Sequence, residues 1–116
     1  MEKKIFELLN EVGCPCHIKG REYIETAVKI ALEKGIVQMT KELYPTIAEI
    51  HKTTATRVER AISRAVDLCF LNEDYDTIKR VFGNTINLNN GKMVNSAFIY
   101  GIAKYLKVYC KENDAI

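Results

Sequence analysis

Arg57, Arg60 and Arg64 stand at i, i+3 and i+7. On a helix that spacing projects all three side chains from one side. A guanidinium pairs bidentately with guanine O6 and N7 in the DNA major groove, and a carboxylate such as Glu59 accepts from cytosine N4. Just upstream, Thr53, Thr54 and Thr56 cluster where a helix would begin. Hydroxyls there, beside open backbone N–H groups, suit phosphate contacts. The whole chain carries a net charge of +2, and the segment from Lys41 to Arg64 accounts for all of it. So small a total identifies no nucleic-acid binder by itself; the placement of the charge does the arguing. The plainer alternative is a solvated face on which Glu59 pairs with Arg60 or Lys52.

A second cluster, Cys14-Pro15-Cys16-His17, has metal-type donors. No other Cys/His pair follows at zinc spacing, so no metal site and no cofactor is expected. The four cysteines read as reduced thiols, with Cys69 inside the apolar run from Val66 to Leu71. There is no phosphate-binding glycine loop, no HExxH and no GxSxG, so no enzyme is expected.

The elements that must position these groups are helical. Ile5, Leu8, Leu9 and Val12 follow the period of a short amphipathic helix that Gly13 ends. A connector through Gly20 leads to a second helix bearing Ile24, Ala27, Val28, Ala31 and Leu32, stopped at Gly35; Ile36 to Met39 reads as one more turn. Tyr44-Pro45 opens a short helix ending near His51-Lys52, since proline is tolerated in a first turn. The next helix can start from Thr53-Thr54 as caps, or from Thr56-x-x-Glu59 as a capping box. Its apolar stripe is Val58, Ala61, Ile62, Ala65, Leu68 and Cys69, opposite the arginines. Asn72 to Asp76 breaks it, Ile78, Val81 and Phe82 mark a short helix, Asn84 to Gly91 reads as a loop, and a last helix runs from Asn95 or Ser96 to about Cys110. The expectation is an all-α bundle of about six helices. It forms one domain over residues 1–116, with a helix-turn-helix at about 43–71 in which the first helix braces a groove-reading second. In that template His51 takes a place usually apolar and Lys52 one often filled by glycine. No apolar run approaches the 18 residues of a membrane span, and the charged start Met1 to Glu7 lacks a signal-peptide stretch, so the reading is cytoplasmic, on the nucleoid.

Several runs occur in one order: His17-Ile18-Lys19-Gly20, Tyr44-Pro45-x-Ile47-Ala48, Thr53-Thr54-Ala55-x-Arg57-Val58-Glu59-Arg60-Ala61-Ile62 and Asn95-Ser96-x-Phe98-Ile99. Together, from about Phe6 to Leu106, they resemble the C-terminal DNA-binding domains of stage 0 sporulation protein A, the sporulation response regulator of endospore-forming bacteria. The resemblance implies a six-helix domain reading a TGTCGAA-like box in the major groove, in tandem sites bound by two copies. It implies base reading by Thr56, Arg57, Glu59 and Arg60. It makes His17, Lys19, Thr53, Thr54, Ser63, Arg64 and Lys92 candidates for backbone contact or support, although His17 to Gly20 also reads as a structural turn. Asn72 to Gly83 matches the family's surface for the RNA polymerase sigma factor, with Asp74, Thr77, Lys79 and Phe82 as contact candidates; an ordinary solvated loop and helix is the alternative.

The sequence departs from the family at Ser63 and Arg64, where two basic or imidazole residues are usual, at Met93 for proline, and at Ala97 for an acidic residue. Nothing matches the family's phosphoacceptor receiver domain, so the chain reads as an excised domain or a stand-alone relative. The rival reading is a helical protein-interaction module that keeps the fold and has lost DNA reading.

Overall fold

The computed structural model describes residues 1–72, 75–83 and 93–115, leaving aside the side chains of residue 72 and residues 110–115. Among the described residues there are six α-helices and no strand. They are α1 (Glu2–Glu11), α2 (Lys19–Lys34), α3 (Tyr44–His51), α4 (Ala55–Asn72), α5 (Tyr75–Phe82) and α6 (Asn95–Ala115), with a π-helical turn at Met39–Leu43 leading into α3. The all-α expectation therefore holds. The radius of gyration, 13.4 Å, is that of a packed domain, for which about 13 Å is typical at this length.

The central element is α2, which packs on α4 and α6 and also touches α1 and α3. Its inner face buries Ile24, Ala27 and Val28 completely. Against it lie Ile5 and Leu9 of α1, Ile62 of α4, and Phe98, Ile99 and Ile102 of α6. α5 packs on α6, where Phe82 stacks against Phe98 with ring centroids 5.3 Å apart.

One charged residue sits in this interior. Arg21 is 1% exposed. Burying a guanidinium is costly unless its donors are satisfied. Here Nη1–H donates to the Cys14 carbonyl at 2.8 Å, Nη2–H to the Phe6 carbonyl at 3.0 Å, and Nε–H to Glu25 at 2.8 Å. The guanidinium also lies 4.9 Å from the centre of the Phe6 ring. Arg21 thus ties α1 and its connector to α2.

Cys14 and Cys69 meet close by, and both are buried and reduced. The Cys69 thiol donates a hydrogen bond to Cys14, which holds the Cys14 pKa below the usual thiol value. The same bond, together with burial, pushes Cys69 far above it.

The connector after α2 differs from the sequence expectation. The turn comes at Met39–Leu43, not at 36–39. Val37 is held instead by Tyr100 of α6, whose hydroxyl donates to the Val37 carbonyl at 2.6 Å and accepts from its N–H at 3.0 Å. Two backbone groups satisfied by one tertiary partner outweigh another helical turn. The last helix also runs past the expected Cys110, to Ala115. The expected loop from residue 84 to 91 lies outside the described residues.

Candidate nucleic-acid interface

The turn between α3 and α4 is set by backbone geometry. Lys52 has φ 56° and ψ 52°, the left-handed conformation, and no other described non-glycine residue has positive φ. The Thr53 N–H donates to the Ala48 carbonyl at 2.9 Å, and the Lys52 N–H points to the Glu49 carbonyl at 3.4 Å. That pairing is the glycine-type helix stop, made here with lysine. Ala48 of α3 and Val58 of α4 are both buried, and the two helices pack on each other.

Thr54 decides where α4 begins. Its Oγ1 accepts the Arg57 N–H at 3.2 Å, and the helix starts at Ala55. Of the two starts the sequence left open, the Thr54 cap is the one formed. Accepting this bond leaves the Thr54 hydroxyl proton able to donate outward.

His51 is half-buried and bridges α3 to α2. Its ring meets Tyr23 edge-on at 5.0 Å, and Nε2 lies 2.8 Å from Thr26 Oγ1. The Thr26 hydroxyl donates to the Glu22 carbonyl at 3.2 Å, so the histidine Nε2–H is the donor in the contact between them. An imidazole fills the usual apolar place by packing its ring and satisfying its nitrogen.

Inside α4, Val58, Ile62, Ala65, Val66 and Cys69 are buried; Val66 joins the stripe and Ala61 and Leu68 sit at its edge. Outside, Thr56, Arg57, Glu59, Arg60, Ser63 and Arg64 are exposed. The side chains of Arg57, Glu59, Arg60 and Arg64 make no hydrogen bond or ion pair with any described residue. In particular Glu59 pairs with neither Arg60 nor Lys52. The protein's two other arginines are both engaged: Arg21 as above, and Arg80 with Glu11 at 2.8 Å and with the Tyr105 hydroxyl. The outer face of α4 borders an open concavity of about 800 Å³, lined by Glu59, Arg60, Ala61, Ser63, Arg64 and Asp67.

The start of α2 lies against the same stretch of α4. Gly20 is buried there, and a Cβ added to it would stand 2.2 Å from the Ala61 carbonyl oxygen and 2.9 Å from the Ala65 Cβ. Only glycine permits this crossing. His17 and Lys19, just before it, are exposed. Lys19 reaches Glu22 at 3.4 Å, an exposed pair that binds loosely. Thr53 is half-buried, and Lys92 lies outside the described residues.

Asn95, the first residue of α6, closes the arrangement. Its amide donates to the Tyr44 hydroxyl at 3.0 Å and to the Glu59 carbonyl at 3.3 Å, and its carbonyl accepts from the Ser63 hydroxyl at 3.2 Å. Ser63 therefore faces another helix of its own chain. Burial raises the Tyr44 pKa, against the hydrogen bond from Asn95.

On the proposed sigma-factor surface, Lys79 is exposed and Thr77 half-buried. Phe82 is in the core at 6% exposure, and Asp74 lies outside the described residues.

Sequence reasoning did not find Gly20 as a contact, Arg21 as a staple, or Tyr44 and Asn95 as a latch. The pair Ala61 and Ala65, two small residues one turn apart, was the available sign of a close helix crossing.

A short helix, a tight turn and a long helix whose outer arginines pair with no described residue define a helix-turn-helix domain. The family model described as "Sporulation initiation factor Spo0A C terminal" matches residues 5–106, and the chain belongs to that family. The family is the DNA-binding effector domain of a sporulation transcription regulator and not a family of enzymes. Among the described residues, no helix is long and apolar enough to cross a membrane, and no three His, Cys, Asp or Glu side chains group to hold a metal ion.

Proposed function

We propose that residues 1–116 act as a single effector domain that reads a TGTCGAA-like box in the major groove. Two copies bind tandem boxes to control genes of sporulation initiation. Arg57 and Arg60 pair with guanines, Glu59 accepts from a cytosine or orients an arginine, and Thr56 approaches from the first turn of α4. Thr53, Thr54, Lys19, His17, Arg64 and Lys92 meet the phosphate backbone. Ser63, whose hydroxyl proton is spent on Asn95, supports the helix. The sigma-factor surface rests on Thr77 and Lys79.

The observation that carries this reading is the contrast among the arginines. Those on α4 are held on one exposed face without partners among the described residues, and every other arginine is paired.

The test is fluorescence anisotropy on a labelled duplex bearing two tandem boxes, with a scrambled duplex and a salt series alongside. The expected specific-to-scrambled ratio is above about a thousandfold. A ratio near one with a steep salt slope would reduce the domain to backbone affinity. Absent binding, with capture of a sigma factor or a full-length regulator, would replace this reading by the interaction module.

A further inference from the structure

We infer that Asn95 is a positioning residue that fixes the rotation of α4 about its own axis, and with it the aim of the arginines. The inference rests on the DNA reading proposed above. One side chain at the head of α6 contacts both helices of the helix-turn-helix: Tyr44 at the start of α3, and the Glu59 carbonyl and Ser63 hydroxyl on successive turns of α4.

The Glu59 carbonyl can only accept, so the Asn95 amide nitrogen must face it, and the Asn95 oxygen is left to accept from Ser63. The orientation of the amide is thereby determined. Ser63 Oγ and the Glu59 carbonyl lie one turn apart on the edge of α4 that meets α6. The turn they bracket also carries Arg60. A rotation of α4 that carried one contact away from Asn95 would carry both.

The lever is long. A rotation of about 10° at the roughly 5–6 Å side-chain radius of a helix moves a side chain by about 1 Å. That exceeds the few tenths of an ångström over which hydrogen bonds hold their geometry, and a base-reading group needs placement within about 0.5 Å. The apolar stripe and the close Gly20 crossing at Ala61 and Ala65 hold the far side of α4, and the Asn95 contacts hold the edge that faces α6.

The experiment compares Asn95→Ala, Ser63→Ala and Ser63→Thr with the wild type on box-bearing and scrambled duplexes, with folding checked by circular dichroism. Asn95→Ala should lower the specific-to-scrambled ratio about tenfold, the scale of one lost base contact, with scrambled affinity and salt slope unchanged. Ser63→Ala should lower the ratio about threefold, Ser63→Thr should retain it, and Asn95→Ala with Ser63→Ala should be no worse than Asn95→Ala alone. Equal weakening on both duplexes, or an unchanged ratio in a folded Asn95→Ala protein, overturns the inference. Should Asn95→Ala not fold, the exposed Ser63 pair of variants decides it in the same way.

A wild-type ratio near one is a failure of the DNA reading and is separate from this claim. Positioning is then read from backbone amide chemical shifts of α4 in the free protein. They should move between Arg57 and Arg64 in Ser63→Ala and return in Ser63→Thr; unmoved shifts overturn the inference.

Discussion

Arg21 and Arg60 are the same side chain in opposite circumstances. Arg21 is enclosed, with two backbone carbonyls and a carboxylate taking its donors. Arg60 stands on the exposed face of α4, with no described partner. The first has spent its hydrogen bonds on holding α1 to α2; the second gives none of its five donors to a described residue. The difference separates what builds the domain from what the domain presents. Substitutions should sort along it: interior changes move stability, and outer-face changes move binding.

The largest effect is expected at the interior arginine. Arg21→Leu strands the buried Cys14 carbonyl and removes the charged hydrogen bonds to the Phe6 carbonyl and Glu25, at a cost of about 4 kcal/mol of stability, since an orphaned buried group costs roughly 1–3 kcal/mol and a hydrogen bond from a charged group contributes roughly 1.5–3 kcal/mol. Urea denaturation measures it, and a loss under 1 kcal/mol would break the contrast. Gly20→Ala comes next, at about 3 kcal/mol, because the new methyl meets a backbone carbonyl that cannot step aside. If the crossing gives way without unfolding, specific binding should fall with it.

Arg60→Ala should change stability by no more than about 0.5 kcal/mol. It should cost about 1–3 kcal/mol of specific binding and much less on scrambled DNA. Equal losses on both duplexes would assign Arg60 to the phosphates. The smallest effect is expected at the turn. Lys52→Gly should raise stability by about 0.5 kcal/mol, since a left-handed conformation costs an ordinary residue roughly 1–2 kcal/mol and glycine's greater chain entropy offsets part of the gain. A thermal melt reads this, and a fall in stability would mean that the lysine side chain has a structural role.

The same division marks what the sequence made legible. The stripe on α4 and the arginines opposite it follow from helical period, because one face was apolar and the other charged over four turns. The Thr54 cap was one of two starts with equal claims; the choice depends on where the chain leaves α3, which the left-handed Lys52 sets. His51 broke the template pattern in sequence, yet its partners, Tyr23 and Thr26, lie on a different helix and have no local signal. Arg21 reads as an ordinary polar residue in a first turn; its burial depends on α1 folding over it. Gly20 and Asn95 act through contacts between helices; the pair Ala61 and Ala65 hints at the first, and nothing local marks the partners of the second. The family resemblance supplied the proposed base-reading positions, and the structure supplies the reason they are held at the surface.

The most direct test is a cycle across the interface. Each guanine of the box is replaced in turn by 7-deazaguanine, which lacks the N7 acceptor, and each duplex is titrated with wild-type and Arg60→Ala protein. One guanine is predicted to lose about tenfold in wild-type affinity on deaza substitution, and to lose nothing further when Arg60 is already alanine. Independent, additive losses at every guanine, or no response to deaza substitution anywhere in the box, would contradict guanine reading by the outer face of α4.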